Sequence, residues 1–165
     1  MMTRKQHRQK VATYKYRQKT AGVLIFFTGI LILILVSSVS AAQDYQFIDP
    51  ENLKIRLDTN EPLILVDIQK KSDYQEHHFF DSLQTSAYPV KTGPDTQSLD
   101  QAVQVYEKKQ EDIIIIGPRG GRACLRTHDY LVSKGIPAQK IYILKGGIKD
   151  WPYPAMLFNT LGGCG

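Results

Sequence analysis

An apolar run that ends in a glycine-rich turn constrains the fold of this chain more than any other feature. Residues 113–122 have the sequence IIIIGPRGGR, and the residues from Arg122 onward have helical spacing. A short β-branched run bounded by Gly and Pro predicts a buried strand. The turn therefore joins a strand to the N-terminus of a helix, where backbone N–H groups can hold an anion.

Strands and helices alternate between residues 49 and 151, after a linker expected over 42–47. The patterns predict, in order, a helix from Pro50 to about Leu57, a strand over 63–67, a short helix over 72–77, a strand over 83–87, a loop over 91–96, a helix capped by Ser98 and Gln101, the strand over 113–116, a helix over 122–134, a strand over 141–143 and a short helix near 147–151. Such alternation indicates an α/β fold in which helices cover both faces of a parallel sheet. Ligands in such folds bind beyond the carboxyl ends of the strands, where the turn at Gly117 is expected.

An apolar segment near the N-terminus predicts one transmembrane helix. No charged residue occurs between Lys19 and Asp44, and residues 22–39 have the sequence GVLIFFTGILILILVSSV. About 20 apolar residues at about 1.5 Å each span a hydrocarbon core of roughly 30 Å. Because the preceding tail is basic, the N-terminus is expected in the cytoplasm and the domain on the extracytoplasmic, periplasmic side of the membrane.

The same segment leaves two fates open, a cleaved signal peptide and a permanent anchor. Ser40, Ala41 and Ala42 suit a signal peptidase, whereas the apolar stretch exceeds the roughly 7 to 15 residues usual in a cleaved signal, which favours the anchor. The predicted organisation is a basic cytoplasmic tail over 1–21, an anchor or signal segment over 22–42, a globular domain over 43–155 and a flexible tail over 156–165.

The net charge of +5 belongs to the N-terminal tail and not to the domain. Residues 1–19 hold seven Lys or Arg and no acid, so the other 14 bases face all 16 acids and leave a net charge of −2. The electrostatic footprint of a nucleic-acid binder should lie on its folded domain. We therefore expect no nucleic-acid partner.

The turn resembles the active loop of the rhodanese family, in which a strand is followed by Cys-x-x-Gly-x-Arg and a helix. Gly120 and Arg122 match the later Gly and Arg of that loop, but Gly117 stands where the family has its persulfide-forming cysteine. The resemblance implies a rhodanese-like fold, and the missing nucleophile leaves open whether the chain is an enzyme.

Three further segments resemble the same family, so that the likeness runs from about Ile48 to Trp151. LILVD at 63–67 is similar to the early strand that ends in Asp, although Gln69 replaces the usual Arg. In HHFFDS at 77–82, His78 matches the family's His, whereas His77 and Asp81 replace two glycines. LKGGIKDW at 144–151 resembles the closing Leu-x-Gly-Gly-x-x-x-Trp.

The loop predicts an anion-binding site whose members share either a free backbone amide or a positive charge: Gly117, Arg119, Gly120, Gly121 and Arg122. The resemblance to the rhodanese loop implies that its ligand is a small sulfur oxyanion or a sulfane sulfur donor. A plain strand-to-helix turn in a degenerate domain remains the equal alternative.

Cys124 lies seven residues after Gly117. A displaced nucleophile and a buried structural cysteine are its two possible roles. It shares an apolar stripe with Leu125, His128, Leu131 and Val132, which favours a buried cysteine. His128 and His78 are expected to be structural. No cluster with metal-ligand spacing surrounds the histidines, so neither a metal nor another cofactor is predicted.

Cys164 lies in the glycine-rich C-terminus LGGCG. This tail resembles the Gly-Gly-Cys-Gly-Gly arm of the carrier subunit in periplasmic thiosulfate-oxidising systems, and the resemblance implies that Cys164 carries covalently bound sulfur. Thirteen residues separate it from Trp151, a reach of roughly 45 Å when extended. A disulfide between Cys124 and Cys164 and an inert tail are the alternatives.

Two functions follow from these features. The first is a membrane-anchored, extracytoplasmic sulfur carrier or relay, with Cys164 as the reactive residue and a protein as a possible sulfur-transfer partner. The second is a non-catalytic binding module for an anion or a protein. Conventional rhodanese turnover is a third hypothesis, which the lack of a nucleophile in the loop disfavours.

Overall fold

The computed structural model describes residues 45–159. The predicted basic tail over 1–21, the predicted membrane segment over 22–42 and Cys164 lie outside these residues. Between residues 45 and 159 no helix has both the length and the apolar character needed to span a bilayer.

Seven strands form two sheets within the described region. They are β1 (Gln46–Ile48), β2 (Leu63–Asp67), β3 (His78–Phe79), β4 (Leu83–Gln84), β5 (Asp112–Ile116), β6 (Ile141–Leu144) and β7 (Leu157–Phe158). The larger sheet has the order β1, β6, β5, β2, β4, and all of its strand pairs are parallel. A small antiparallel sheet pairs β3 with β7.

The helices of the described region lie between these strands along the chain. They are α1 (Pro50–Asp58), α2 (Lys71–Glu76), α3 (Gly93–Gln97), α4 (Asp100–Lys109) and α5 (Arg122–Ser133), with short 3-10 turns at Ala138–Lys140, Ile148–Asp150 and Pro154–Met156. The predicted α/β class with a parallel sheet is confirmed.

Strand β5 lies in the middle of the larger sheet and is buried on both faces. Ile113 and Ile115 pack in one core with residues of α4 and α5, whereas Ile114 and Ile116 pack in a second core with Leu53 of α1. Side chains alternate across a strand, so both faces of a central strand must be apolar. This requirement explains the run of four isoleucines.

Two predictions about the segment before α4 were wrong. Residues 93–97 form α3 and not a loop, because Thr92 and Asp95 make the capping box there and Pro94 suits a first helical turn. Ser98 does not cap α4. Its hydroxyl donates to the Asp95 carbonyl, and the helix that follows begins at Asp100 without a side-chain cap.

Three other segments differ from their predicted boundaries. The expected linker contains β1, which pairs with β6 and adds an edge strand to the sheet. The strand expected over 83–87 is only two residues long, and the chain leaves the extended conformation at Ser86, whose φ is +54. Leu157–Phe158, which the prediction placed in the tail, pairs with β3.

Candidate functional site

The glycine turn lies at the carboxyl end of β5, as the sequence predicts. It covers residues 117–121, and α5 begins at Arg122. Its position is set by the turn after β6, because Ile148 N–H donates to the Gly117 carbonyl (3.0 Å) and Lys149 N–H to the Pro118 carbonyl (3.2 Å). The two glycine-containing motifs of the sequence are therefore one structural unit.

This contact is made backbone to backbone. Gly120 has φ +61, and a Cβ atom there would collide with the Leu144 carbonyl. Gly147 also has φ +61, and its Cβ would collide with the Gly117 carbonyl and the Arg119 amide. Only glycine combines that left-handed conformation with such a close approach.

Beside the turn lies a cavity of about 310 Å³, here called the loop cavity. Its lining residues are Tyr88, Pro89, Lys91, Pro118, Arg119, Gly121, Arg122, Ala123, Cys124 and Arg126. Four of them are cations and none is an acid. Three of the five predicted anion-binding residues line it, namely Arg119, Gly121 and Arg122, while Gly117 and Gly120 lie outside the lining.

The charge around the loop cavity is largely uncompensated. The side chains of Arg119 and Arg122 are exposed and form no ion pair or hydrogen bond with any residue between 45 and 159. Lys91 is exposed as well, and its backbone N–H donates to Asp95. Unpaired cations around a concave surface attract and hold anions.

Backbone amides add to this positive field. Within the described residues, the N–H groups of residues 119–123 donate to no protein acceptor. Gly147 covers the amides of Arg119 and Gly120, which leaves those of residues 121–123, at the N-terminus of α5, for a ligand. The helix dipole favours negative charge at this end.

Cys124 occupies the space that a side chain at position 117 would need. A Cβ atom added at Gly117 would lie 2.5 Å from Cys124 Sγ. The side chain of Cys124 is 1% exposed, and burial, followed by the charge of Asp67, raises the pKa of its thiol to about 12. The expectation of a buried cysteine is confirmed, and its thiol is protonated at neutral pH.

A buried carboxyl lies at the end of the neighbouring strand. Asp67 is 0% exposed and accepts hydrogen bonds from Gln69 N (2.8 Å) and Gln69 Nε2 (3.0 Å). Burial raises the pKa of Asp67 from 3.8 to about 7, although the bonds from Gln69 oppose the rise. Gln69 donates hydrogen bonds to both oxygens of the carboxyl group. Because its side chain is neutral, it supplies no positive charge that would stabilise the ionised form.

The histidines of the described region, His77, His78 and His128, do not line the loop cavity. His78 is buried, contacts the Tyr74 carbonyl through Nδ1 (2.7 Å) and stacks on the Tyr74 ring. His128 is buried against Tyr45. Among residues 45–159 no group of three or more His, Cys, Asp or Glu side chains is placed to hold a metal ion.

The other lining residues were missed by sequence reasoning. Tyr88, Pro89 and Lys91 come from the segment between β4 and α3, and Arg126 from the second turn of α5. Only the parallel pairing of β2 with both β4 and β5 brings that segment next to the glycine turn. Their spacing in the sequence carries no signal of this proximity.

Comparison with known proteins decides the family. The model of the rhodanese-like domain matches residues 49–152. The chain belongs to the rhodanese-like domain family. No match was found among curated proteins.

Solved structures with the same fold differ widely in what they do. A rhodanese-like domain from Anabaena is 21% identical with a TM-score of 0.55, covering 73% of this chain and 85% of its own. An As/Sb reductase from Leishmania major is 15% identical with a TM-score of 0.56, covering 70% and 86%. A yeast protein tyrosine phosphatase of the rhodanese family is 17% identical with a TM-score of 0.53, covering 68% and 89%.

These identities establish the fold and do not select among the activities. The rhodanese-like match is consistent with a site for sulfur compounds or other anions. The chemistry of this chain has to be inferred from its own loop cavity, which is lined by four cations and lies next to a glycine at position 117.

The contact between position 117 and Cys124 predicts a specific pair of effects. Gly117→Ala should destabilise the protein by about 1 to 3 kcal/mol, because its methyl group overpacks the Cys124 sulfur. The cost should shrink by about 1 kcal/mol or more in a Cys124→Ala background. Denaturant unfolding of the four proteins in this cycle measures both quantities.

Gly121→Ala is the matched control, since a Cβ there meets no atom within 4 Å and φ is −96. Because Gly121 is the N-cap of α5, the substitution should cost about 1 kcal/mol or less, and the cost should be the same in the Cys124→Ala background. Additive effects of Gly117→Ala and Cys124→Ala would contradict the contact.

The buried carboxyl predicts a pH-dependent effect of Asp67→Asn. Between pH 3.8 and about 7 the folded protein keeps a proton on Asp67 that the unfolded chain has lost, so wild-type stability falls as the pH rises. The Asp67→Asn variant has no ionisable group at this position, so its stability does not fall in this way. Its free energy of unfolding should therefore rise relative to wild type by up to about 4 kcal/mol between pH 4 and pH 8.

Urea unfolding of both proteins across that pH range provides the measurement. Asp81→Asn is the control, because Asp81 is exposed and its φ of +56 suits Asn. If the difference between Asp67→Asn and wild type changes with pH no more than the difference between Asp81→Asn and wild type, the Asp67 carboxyl ionises normally in the folded protein.

Proposed function

We propose that this protein is a membrane-anchored, extracytoplasmic, rhodanese-like sulfur carrier or relay. The loop cavity binds the anionic end of a sulfur donor, and Cys164 carries the transferred sulfur. The observation that carries the proposal is a cavity lined by four cations and no acid, at the carboxyl end of β5, whose own nucleophile is missing.

Anion binding is supported by two sets of donors that converge on the cavity. Arg119 and Arg122 have guanidinium groups with no protein partner in the described region, and residues 121–123 have free amides. Hydrogen bonds between charged groups are the strong ones in proteins, and guanidinium is suited to bidentate contact with an oxyanion.

The assignment of the carrier thiol rests on the cysteine inventory. The chain has two cysteines. Cys124 is buried, and its thiol, with a pKa of about 12, provides almost no thiolate at neutral pH. Because the thiolate is the nucleophile, Cys164 is the better candidate for covalent sulfur chemistry.

The proposed step balances without an added oxidant. The Cys164 thiolate attacks the sulfane sulfur of thiosulfate, a new S–S bond forms, and the S–S bond of thiosulfate breaks. Sulfite leaves with the electron pair, and Cys164 becomes a persulfide. With a polysulfide donor the leaving group is the shortened polysulfide chain.

The anchorage of β7 limits how far Cys164 can reach. Phe158 pairs with β3, and Cys164 lies six positions further along the chain, six extended residues away. Fully extended, they span about 20 Å, less than half of the reach measured from Trp151. Transfer to a protein partner at the membrane is therefore as suitable a role as delivery to the protein's own cavity.

A non-catalytic binding module is the second candidate function. The position of Cys124 favours it, because its sulfur fills the space of the missing nucleophile and leaves the loop without a reactive group. Such a module would bind a small anion or an acidic group of a protein partner through the same cations, with no covalent step.

Anion binding predicts that Arg119→Ala and Arg122→Ala each weaken the affinity for thiosulfate by about tenfold, since each removes a charge-assisted contact. Isothermal titration of the full-length protein measures the affinity. Lys108→Ala removes an exposed cation that does not line the cavity and should leave the affinity unchanged. Equal affinities in all four proteins would refute the site.

The carrier role predicts a mass increase of one sulfur atom on Cys164 after exposure to thiosulfate or polysulfide. Cys164→Ser should abolish the adduct while the circular dichroism spectrum is retained, and Cys124→Ser should keep it. Peptide mass spectrometry locates the sulfur. An adduct on Cys124 would overturn the assignment, and no adduct on either cysteine would favour the binding module.

A further inference from the structure

A second cavity, here called the amino-end cavity, lies at the amino ends of β2 and β5. Its volume is about 550 Å³, and none of its lining residues in the described region also lines the loop cavity. Pro62 and Leu63 line it where β2 begins, and Glu111 lines it directly before β5. The glycine turn follows the carboxyl end of β5, so the amino-end cavity is a separate site.

The lining of the amino-end cavity is mainly apolar. Nine of its fourteen lining residues in the described region are apolar, among them Leu57, Leu65 and Met156. Its volume lies within the roughly 300 to 1,000 Å³ of pockets for organic ligands. At the about 30 Å³ that a water molecule takes up in the liquid, it has room for about 18 heavy atoms. The cavity therefore has the size and the surface of a site for an organic molecule.

Two exposed aromatic rings lie together in this lining. Phe80 is 72% exposed and Phe158 is 48% exposed, and their ring centroids are 5.3 Å apart. A ligand that covers these rings removes apolar surface from water. The faces of aromatic rings also attract cations. The ring pair therefore suits a ligand that is both apolar and positively charged.

The charge of the lining is negative. Its charged members in the described region are three acids and one base, namely Glu61, Asp81, Glu111 and Lys109. Glu111 lies 3.8 Å from Lys109 Nζ, and Glu61 accepts a hydrogen bond from Arg56 Nη2 (2.5 Å). The Asp81 carboxylate forms no ion pair or hydrogen bond with any residue between 45 and 159. Its charge is therefore available to a cation.

The backbone at Asp81 does not require a carboxylate. Its φ is +56, a conformation that glycine adopts most readily, and the resemblance to the rhodanese family predicts glycine there. Aspartate tolerates this conformation better than most residues. In this chain it adds a negative charge directly after Phe80, without an internal contact for that charge.

We propose that the amino-end cavity binds a small organic cation, in which an ammonium or guanidinium group is joined to an apolar body. The cationic group contacts the Asp81 carboxylate and the ring faces of Phe80 and Phe158. The body lies against the apolar lining, which includes Leu57 and Met156. This site goes beyond the proposed function and does not depend on the anion site.

The test compares ligands that share a body and differ in charge. Full-length protein is titrated with phenethylamine, phenethyl alcohol and phenylacetate, with protein-free lipid or detergent as the blank. Phenethylamine should bind about tenfold more tightly than the alcohol, because it alone can form an ion pair with the carboxylate. Phenylacetate should bind most weakly. Ethylamine, which lacks the ring, should bind about tenfold more weakly than phenethylamine.

Phe80→Ala tests the aromatic part of the cavity. It should weaken the binding of the amine and the alcohol by about fivefold or more, because the ligand ring loses an apolar partner. Phe47→Ala is the matched control, since Phe47 is 44% exposed and does not line the cavity. It should change neither affinity. Equal effects of Phe80→Ala and Phe47→Ala would overturn the site.

Asp81→Asn tests the charge while keeping a residue that suits a φ of +56. The tenfold preference for phenethylamine over phenethyl alcohol should fall to about twofold, with the alcohol bound as before. Glu76→Gln removes an exposed carboxylate outside the cavity and should keep the preference. A preference that Asp81→Asn does not change, or equal affinity of the wild-type protein for phenethylamine and phenylacetate, would overturn the proposal.

Discussion

The structure of the site depends on a backbone-to-backbone contact between the loop after β5 and the turn after β6. Gly120 and Gly147 approach so closely that neither tolerates a Cβ atom, and the Ile148 amide holds the Gly117 carbonyl in place. The carbonyl groups of Gly117 and Pro118 thereby accept hydrogen bonds from the protein itself. The free amides at the start of α5 and the guanidinium groups remain for a ligand, which gives the cavity its positive character.

The loop separates charge from reactivity. The side chains of Arg119 and Arg122 have no protein partner in the described region, whereas position 117, where the resemblance to the rhodanese loop predicts the nucleophile, is a glycine that packs against the Cys124 sulfur. Beneath the loop, Asp67 and Cys124 are both buried, and the pKa of each is raised. Cys124 is therefore neutral at neutral pH and Asp67 becomes neutral as the pH falls below about 7, so the interior opposes an anion in the cavity least at mildly acidic pH.

Local sequence patterns succeeded where one interaction dominates and failed where two compete. The isoleucine run predicted β5, because a strand buried on both faces must be apolar throughout. The capping pattern at Ser98 and Gln101 failed because Thr92 and Asp95, six residues earlier, cap the preceding helix α3, and the Ser98 hydroxyl donates to the Asp95 carbonyl at the end of that helix. Gln101 instead donates to the carbonyls of Gln84 and Ser98. The contact with Gln84 depends on the tertiary fold, so a local sequence pattern does not predict it.

The sequence by itself determined the α/β class, the strand-to-helix loop and its cations, because apolar periodicity and glycine placement express local backbone requirements. Tertiary structure alone decided that Tyr88, Lys91 and Arg126 complete the cavity and that Cys124 fills the space at Gly117. These residues meet only because β4, β2 and β5 lie side by side in parallel register. Sheet pairing brings together positions that are far apart in the chain, and their spacing in the sequence does not indicate that they are close in the fold.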